Sequence, residues 1–298
     1  METPPSNTQP LDVPAELTVA ELLDRYAAGE RDFRGIQLIG ANLSQQTLSG
    51  ANFRQSNLQN TNFSGAILVG ANFREAKLTD VSFERATLVL ANLIGADLAD
   101  ARLIGADLSE AGMRSANLAR ADLSEATLRE TNLNEAVLDH ATLHRAVLSE
   151  ASLSRGRMLA TDLQEANLEH ANLTSALMNR AIFKKAILVE AVLTGATLEG
   201  ADFEAADLSR AKLSSTNLVN VNLARANLRG ANLSWSSLRG ANLRGATLYR
   251  TRLSWSNLSG ADLTDAVMIN AKLDYTNLRR TDVQGTIMPD GFTMGSQD

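Results

Sequence analysis

The sequence contains no cysteine and only three histidines in 298 residues. Without cysteine the chain cannot form a disulfide, a thiol nucleophile or a thiolate metal site, and three histidines are too few for most metal centres. Aromatic residues make up only 4% of the chain. Any hydrophobic core must therefore be built from smaller side chains, chiefly leucine and alanine.

Long apolar runs are also missing. The N-terminus has no basic segment followed by an apolar one, and no apolar run approaches the roughly 18 residues that a membrane span needs. We therefore expect no membrane contact and a cytoplasmic location. The formal net charge of −6 argues against a protein that coats nucleic acid with its whole surface.

One pattern dominates what is present. From Phe33 to Met288 every fifth residue is large and apolar, and these 52 positions hold 39 Leu, 7 Phe, 5 Met and 1 Val. Two residues earlier the side chain is small in most repeats, and 35 of those 52 positions are alanine. A period of five matches neither a helix nor a strand, so the pattern indicates a repeat architecture.

The phenylalanines indicate how many repeats make one turn of the coil. A chain that buries two side chains every five residues must turn a corner in each repeat, and four quarter turns take 20 residues. Phe33, Phe53 and Phe73 are 20 residues apart, as are Phe183 and Phe203. Residues 20 apart would lie above one another, where their rings can stack.

The repeat A-(N/D)-L-x-x resembles the pentapeptide-repeat family over residues 31–290. The resemblance implies an all-β fold, the right-handed quadrilateral parallel β-helix. Thirteen coils spaced by about 4.8 Å would form a rod of roughly 60 Å. The segments ELLDRYAAGERDF (21–33) and GTIMPDG (285–291) look like the ends of cyanobacterial members, including those linked to heterocyst differentiation.

The repeat divides the chain into four parts. Residues 1–17 are expected to be a disordered, proline-rich tail, and residues 31–290 the β-helix. Residues 18–30 are predicted to form a capping helix, because Thr18 and Glu21 match a capping box and Gly29 can terminate a helix. Residues 291–298 are expected to be a loose tail, since Pro289 has no N–H to extend the ladder. Covered ends favour a monomer.

No catalytic residue, cofactor or metal site is predicted. An enzyme needs polar groups that converge in a concave site, whereas a rod with a Leu and Ala core should have flat faces. His140, His144 and His170 are expected to be solvated surface residues. We therefore predict that the protein is not an enzyme.

The preferred function is a regulatory protein–protein interaction scaffold with a partner of unknown identity. Trp235, Trp255 and Tyr275 share one outward column, and exposed aromatic residues flanked by arginine are typical of interaction hot spots. The segment from Leu208 to Ala261 has no Asp or Glu. Its basic residues are Arg210, Lys212, Arg225, Arg229, Arg239, Arg244, Arg250 and Arg252. From these, Arg239, Arg250 and Arg252 are predicted to join the aromatic column in partner binding.

A second candidate contact patch is apolar. Val69, Val89, Leu90 and Ile94 are outward positions predicted to cluster about one edge in the early coils. A lateral dimer through this patch is the alternative to a monomer.

Two alternative functions involve nucleic acid or its enzymes. Glu110, Glu130, Glu150 and Glu190 form an acidic ladder in the middle coils, which could imitate the phosphates of DNA. The resemblance implies such mimicry for the gyrase-protecting members of the family, so the alternative is a modulator of a topoisomerase. Those members typically carry an interrupting loop and a C-terminal dimerisation module, which this chain lacks. The second alternative is direct binding of nucleic acid by the basic C-terminal third.

Overall fold

A computed structural model describes residues 17–295, which form one α-helix followed by a right-handed quadrilateral β-helix. Each pentapeptide contributes one residue to a parallel β-bridge with the residue 20 positions later. The bridges run from Asp32 with Asn52 to Val267 with Ile287, with one bridge residue in each repeat. The predicted fold and its coil of 20 residues are confirmed.

Hydrogen bonds tie every coil to the coils above and below it. The N–H of Phe33 donates to the carbonyl of Asn52 at 2.8 Å, and the N–H of Asn52 donates back to the carbonyl of Arg31 at 2.7 Å. At the corner, Gln55 donates to Arg74 of the next coil at 3.0 Å. Since each coil bonds only to its neighbours, stability should follow nearest-neighbour repeat energetics.

Each corner is a tight four-residue turn, closed for example by the N–H of Ala51 donating to the carbonyl of Leu48 at 3.1 Å. The third residue of the turn has a positive φ at every fifth position from Gly35 to Gly285. Most of these residues are not glycine, and for them the left-handed conformation costs roughly 1–2 kcal/mol each. The sheet-like bonding on both sides holds them there.

Leucine, phenylalanine and alanine side chains fill the interior and are almost wholly buried. The phenylalanine columns stack as the sequence predicts: the ring centroids of Phe53 and Phe73 are 5.2 Å apart, and those of Phe183 and Phe203 are 4.5 Å apart. Stacking like rings above one another avoids voids between unlike side chains in neighbouring coils.

Helix α1 (Val19–Ala27) covers the N-terminal end of the rod. Thr18 and Glu21 form the predicted capping box, and Gly29 follows the helix with a φ of +99°. The side chain of Leu22 is fully buried against the first coil, and the Tyr26 hydroxyl donates to the carbonyl of Ser49 at 3.1 Å. The helix thus shields the apolar end of the first coil from water.

The C-terminal end differs from the expectation of a loose tail over residues 291–298. Gly291 has a φ of +91°, and the chain reverses there, so that Thr293 pairs antiparallel with Ile287. Met294 exchanges backbone hydrogen bonds of 2.9 Å with Gly285 and Thr286. The expectation was wrong for residues 291–295, because reversal at the turn supplies backbone partners that a continued parallel ladder could not.

Two parts of the expected division lie outside the described residues. These are positions 1–16 of the predicted N-terminal tail and positions 296–298 of the C-terminal one. At the C-terminal end, Leu273, Leu278 and Val283 in the last coil are only partly buried. The cover of this end is therefore less complete than that of the N-terminal end.

Candidate partner-binding surface

Three exposed aromatic side chains of the C-terminal coils form a continuous stack. Trp235, Trp255 and Tyr275 occupy the same corner in three successive coils, and their exposed fractions are 63%, 49% and 76%. The centroids of the two indoles are 5.0 Å apart with planes 3° from parallel, and Trp255 and Tyr275 are 4.2 Å apart at 19°. The positive φ of the turn position directs all three away from the core.

This stack presents ring edges and not open faces. Its inner ring faces contact one another, and only the two terminal faces are free. A nucleobase stacks on an open aromatic face, and the rings of this stack, whose centroids are 4.2–5.0 Å apart, already occupy one another's inner faces. A wall of ring edges on a flat rod instead suits the apolar centre of a protein–protein contact.

The three arginines predicted to flank the stack are not equally close to it. Arg252 lies on the face that leads into Trp255 and is bridged to Lys272 in the next coil. Arg239 lies on the face that follows Trp235. Arg250 lies one corner before Trp255, and its guanidinium is 5.1 Å from the centroid of the Tyr249 ring. Within residues 17–295 none of the three arginines makes a cation–π contact with the stack.

The basic segment 208–261 is only partly neutralised. Arg210 pairs with Glu190 at 3.0 Å, Arg225 approaches Glu204 at 3.9 Å, and Arg244 pairs with Asp262 at 3.2 Å. These acidic partners all lie outside the segment. The other cations make no ion pair among the described residues: Lys212, Arg229, Arg239, Arg250 and Arg252.

Tyr249 is a residue that the sequence analysis missed. The guanidiniums of Arg229 and Arg250 lie 4.7 and 5.1 Å from the centroid of its ring. The sequence does indicate this cluster, because Tyr249 follows Arg229 by one full coil and immediately precedes Arg250. It creates a second aromatic and basic cluster beside the predicted one.

The second predicted patch gathers at one corner of the early coils. Val69 and Val89 lie in the same corner of adjacent coils, and Leu90, the next residue of that corner turn, is 56% exposed. Ile94, on the next face, is half-buried. Ile67 also belongs to the exposed apolar surface of this face and was missed, although it precedes Val69 by only two residues.

The acidic ladder is shorter in the structure than in the sequence. Glu110, Glu130 and Glu150 are exposed and make no ion pair with any residue of the described range. Glu190 pairs instead with Arg210 at 3.0 Å and lies 3.4 Å from His170. The unpaired part of the ladder therefore spans three coils and ends at His170.

Other features of the surface give no converging set of metal ligands. Within residues 17–295 no group of three or more His, Asp or Glu side chains is placed to hold a metal ion. His140 lines a shallow depression of about 580 Å³, which forms because Ala160 and Gly200 have little or no side chain. In the same described range, the single helix is too short to span a membrane.

Family profiles match most of the chain. The profile described as pentapeptide repeats matches residues 36–74, 56–93, 161–204, 186–224, 206–245, 216–254 and 246–285. The profile of a pentapeptide repeat region matches residues 76–153. The chain therefore belongs to the pentapeptide-repeat family, whose members are repeat scaffolds. Comparison with curated proteins gives no match.

Solved structures of the same family are similar to this chain. HetL from the cyanobacterium Nostoc sp. strain PCC 7120, a pentapeptide repeat protein involved in heterocyst differentiation regulation, is 31% identical, with 93% of this chain and 99% of HetL covered and a TM-score of 0.33. QnrB1, a plasmid-mediated fluoroquinolone resistance protein, is 21% identical over 73% of this chain and 91% of its own, with a TM-score of 0.36. Rfr23 from the cyanobacterium Cyanothece 51142 is 26% identical over 44% of this chain and 63% of its own, with a TM-score of 0.21.

Proposed function

We propose that the protein is a non-enzymatic scaffold that binds a protein partner through the stack of Trp235, Trp255 and Tyr275. Arg239 and Arg252, on the faces either side of the stack, supply the polar rim. The observation that carries the proposal is the exposure of three aromatic rings stacked in one column of the rod. A contiguous aromatic surface of this kind is costly in water unless a partner covers it.

The size of the stack fits the centre of an interface and not a complete one. An aromatic side chain can bury about 150–250 Å², so rings that are half to three-quarters exposed leave roughly 300–400 Å². Covering that surface gains about 7–10 kcal/mol at roughly 25 cal/mol per Å². Association alone costs about 4–15 kcal/mol. The flat faces beside the stack must therefore contribute as well.

The regulatory part of the proposal is supported by the 31% identity to HetL, a protein involved in heterocyst differentiation regulation. We further propose that the protein acts in the cytoplasm as a monomer. Helix α1 covers one end of the rod and residues 291–295 partly cover the other, which disfavours end-to-end assembly.

Affinity capture from native lysate, followed by binding measurements with the purified partner, tests the proposal. The variant is Trp235→Gly/Trp255→Gly, because glycine suits the positive φ of both turn positions and preserves the fold. Leu90→Gly is the matched control: it removes a large exposed apolar side chain from the same turn position at a different corner. Circular dichroism checks that all chains are folded.

We expect the double variant to lose at least tenfold in affinity for the partner and the control to bind like wild type. Equal binding by wild type and the double variant would refute a role for the stack. Equal losses in the double variant and in Leu90→Gly would also refute it, because general surface hydrophobicity would then explain capture.

The acidic ladder supports a second candidate function, mimicry of DNA toward a topoisomerase. The observation in its favour is that Glu110, Glu130 and Glu150 stand in one column without cationic partners in the described chain. A supercoiling assay with DNA gyrase tests it. Inhibition or protection by wild type, lost when the three glutamates are replaced by glutamine, would favour mimicry over the scaffold.

A further inference from the structure

A glycine opens a notch between two arginines in the basic third of the rod. Arg210, Gly230 and Arg250 occupy one corner in three successive coils. Because Gly230 has no side chain, a depression of about 400 Å³ remains there. It is lined by Ser209, Arg210, Asn227, Arg229, Gly230 and Arg250. Three arginine side chains therefore line one small concavity.

The ring of Tyr249 holds the guanidinium groups of Arg229 and Arg250 beside the notch. Arg229 lies 4.7 Å and Arg250 5.1 Å from the centroid of the tyrosine ring, and neither has a carboxylate partner in the described chain. Cation–π contacts of this kind are worth about 0.5–1 kcal/mol at exposed sites. They reduce the freedom of both side chains and place two like charges together without neutralising them. Arg210 adds a third charge and pairs with Glu190.

A neighbouring corner shows that a glycine beside an arginine does not by itself make such a site. Arg225 and Gly245 repeat the arrangement of Arg210 and Gly230, but the next residue in that column is Asp265 and not arginine. The notch at Gly230 is thus distinguished by an arginine on both sides and by the ring of Tyr249, which contacts Arg229 and Arg250.

We propose that this notch binds the phosphate group of a phosphorylated side chain on a partner protein. A phosphomonoester carries about −1.5 to −2 charges at neutral pH and three strong acceptor oxygens. Several guanidinium donors around one concavity match that group in charge and geometry, and arginine clusters are the usual readers of phosphorylated motifs. The proposal does not depend on the aromatic stack, which lies at the other edge of the same face.

The extent of the positive charge favours one phosphate over a nucleic-acid backbone. Along this corner the column reads Glu190, Arg210, Gly230, Arg250 and Asn270. Along this corner the cations are therefore limited to the coils that flank the notch, with Glu190 on one side and Asn270 on the other, whereas Lys212, Arg252 and Lys272 lie on the adjoining face. A nucleic-acid strand needs cations that follow its successive phosphates.

The test is calorimetric titration of the full-length chain with N-acetyl-phosphoserine amide, beside N-acetyl-serine amide. We expect saturable binding of the phosphorylated compound in the millimolar range or tighter, given its small size, and none of its serine counterpart. Arg229→Ala and Arg250→Ala should each weaken binding about tenfold. Gly230→Asn should also weaken it by filling the notch, since Asn220 and Asn270 show that asparagine adopts the same positive φ.

Four further variants separate this site from general charge. Arg225→Ala removes an arginine from an equivalent turn position and should leave binding unchanged. Tyr249→Phe should retain binding, whereas Tyr249→Ala should weaken it, because the ring and not the hydroxyl orders the arginines. Trp235→Gly/Trp255→Gly should bind the phosphorylated compound like wild type, which distinguishes a failure here from a failure of the aromatic stack.

Several results would overturn the proposal. One is equal binding of the phosphorylated and unphosphorylated compounds. Another is a loss in Arg225→Ala as large as that in Arg229→Ala. A third is tighter binding of a single-stranded oligonucleotide without terminal phosphate than of the phosphoserine compound, if Gly230→Asn leaves the oligonucleotide's affinity unchanged. That result would indicate a surface that binds polyanions in general.

Discussion

Replacing Ala205 by glycine should make the β-helix more stable, although glycine usually weakens ordered structure. Ala205 is the exposed third residue of a corner turn and has a φ of +57°. A residue with a Cβ is strained in this conformation, whereas glycine is not. Since the alanine side chain is a single methyl group, the substitution tests the backbone with little change in packing.

The expected effect follows from two opposing contributions. Relief of the left-handed conformation favours glycine by roughly 1–2 kcal/mol. The greater freedom of glycine in the unfolded chain opposes it by about 0.5–1 kcal/mol. We therefore expect Ala205→Gly to raise the free energy of unfolding by about 0.5–1 kcal/mol.

Ala224 provides a matched control, because its carbonyl accepts a hydrogen bond of 2.9 Å from the N–H of Ala205. It occupies the second turn position of the next coil and is not among the residues with positive φ. Ala224→Gly gains no relief of strain and should lower the free energy of unfolding by about 0.5–1 kcal/mol. The same substitution should thus raise the free energy of unfolding at Ala205 and lower it at Ala224, although the two residues are hydrogen-bonded to each other.

Urea unfolding followed by circular dichroism measures both effects as shifts of the transition midpoint. A second alanine with positive φ, Ala160 at +51°, extends the test. Ala160→Gly/Ala205→Gly should show the sum of the two single effects, since the sites share no contact. If Ala205→Gly destabilised the protein as much as Ala224→Gly, the argument from backbone strain would be wrong.

Three other predictions concern the helix and the core. Leu22→Ala should undock α1 at a local cost of about 2–5 kcal/mol, seen as faster amide exchange in the first coil with little change in circular dichroism elsewhere. The backbone N–H of Thr18 donates to the Glu21 carboxylate and lowers the pKa of Glu21. Because the folded-state pKa is the lower one, the cap stabilises the helix at neutral pH, and the protection factors of the α1 amides, which are exchange rates corrected for their intrinsic pH dependence, should fall as pH falls through the lowered pKa. Glu21→Gln should show no such fall. Phe203→Leu should lower the free energy of unfolding by about 1–2 kcal/mol through loss of the stack on Phe183. In a double-mutant cycle, Phe183→Leu/Phe203→Leu should cost less than the sum of the two single substitutions. Additive losses would contradict a contribution from stacking.

The fold could be predicted because its determinants lie in one strict period. The five-residue spacing of large side chains required a corner in every repeat, and the spacing of Phe183 and Phe203 gave the length of a coil. The reversal at Gly291 could not be predicted in the same way. It depends on backbone partners at Gly285 and Thr286, which the repeat pattern does not specify.

The candidate surfaces could be predicted only as columns. The register placed Trp235 above Trp255, and the structure stacks them. The direction of a long flexible side chain is not set by the register, so Arg250 was assigned to the tryptophans although it lies against Tyr249. The notch at Gly230 was also missed, because it results from a side chain that is absent.

The strict coil length also limits how this protein can change in length. Insertion or loss of five residues between Trp235 and Trp255 would keep the core pattern, yet it would move every later residue round by one corner. The two tryptophans would then stand on different edges of the rod. Insertion or loss of 20 residues would preserve every column. Whole coils can therefore be added or removed without moving any residue to another column, whereas a single repeat moves every residue that follows it to a different edge or face.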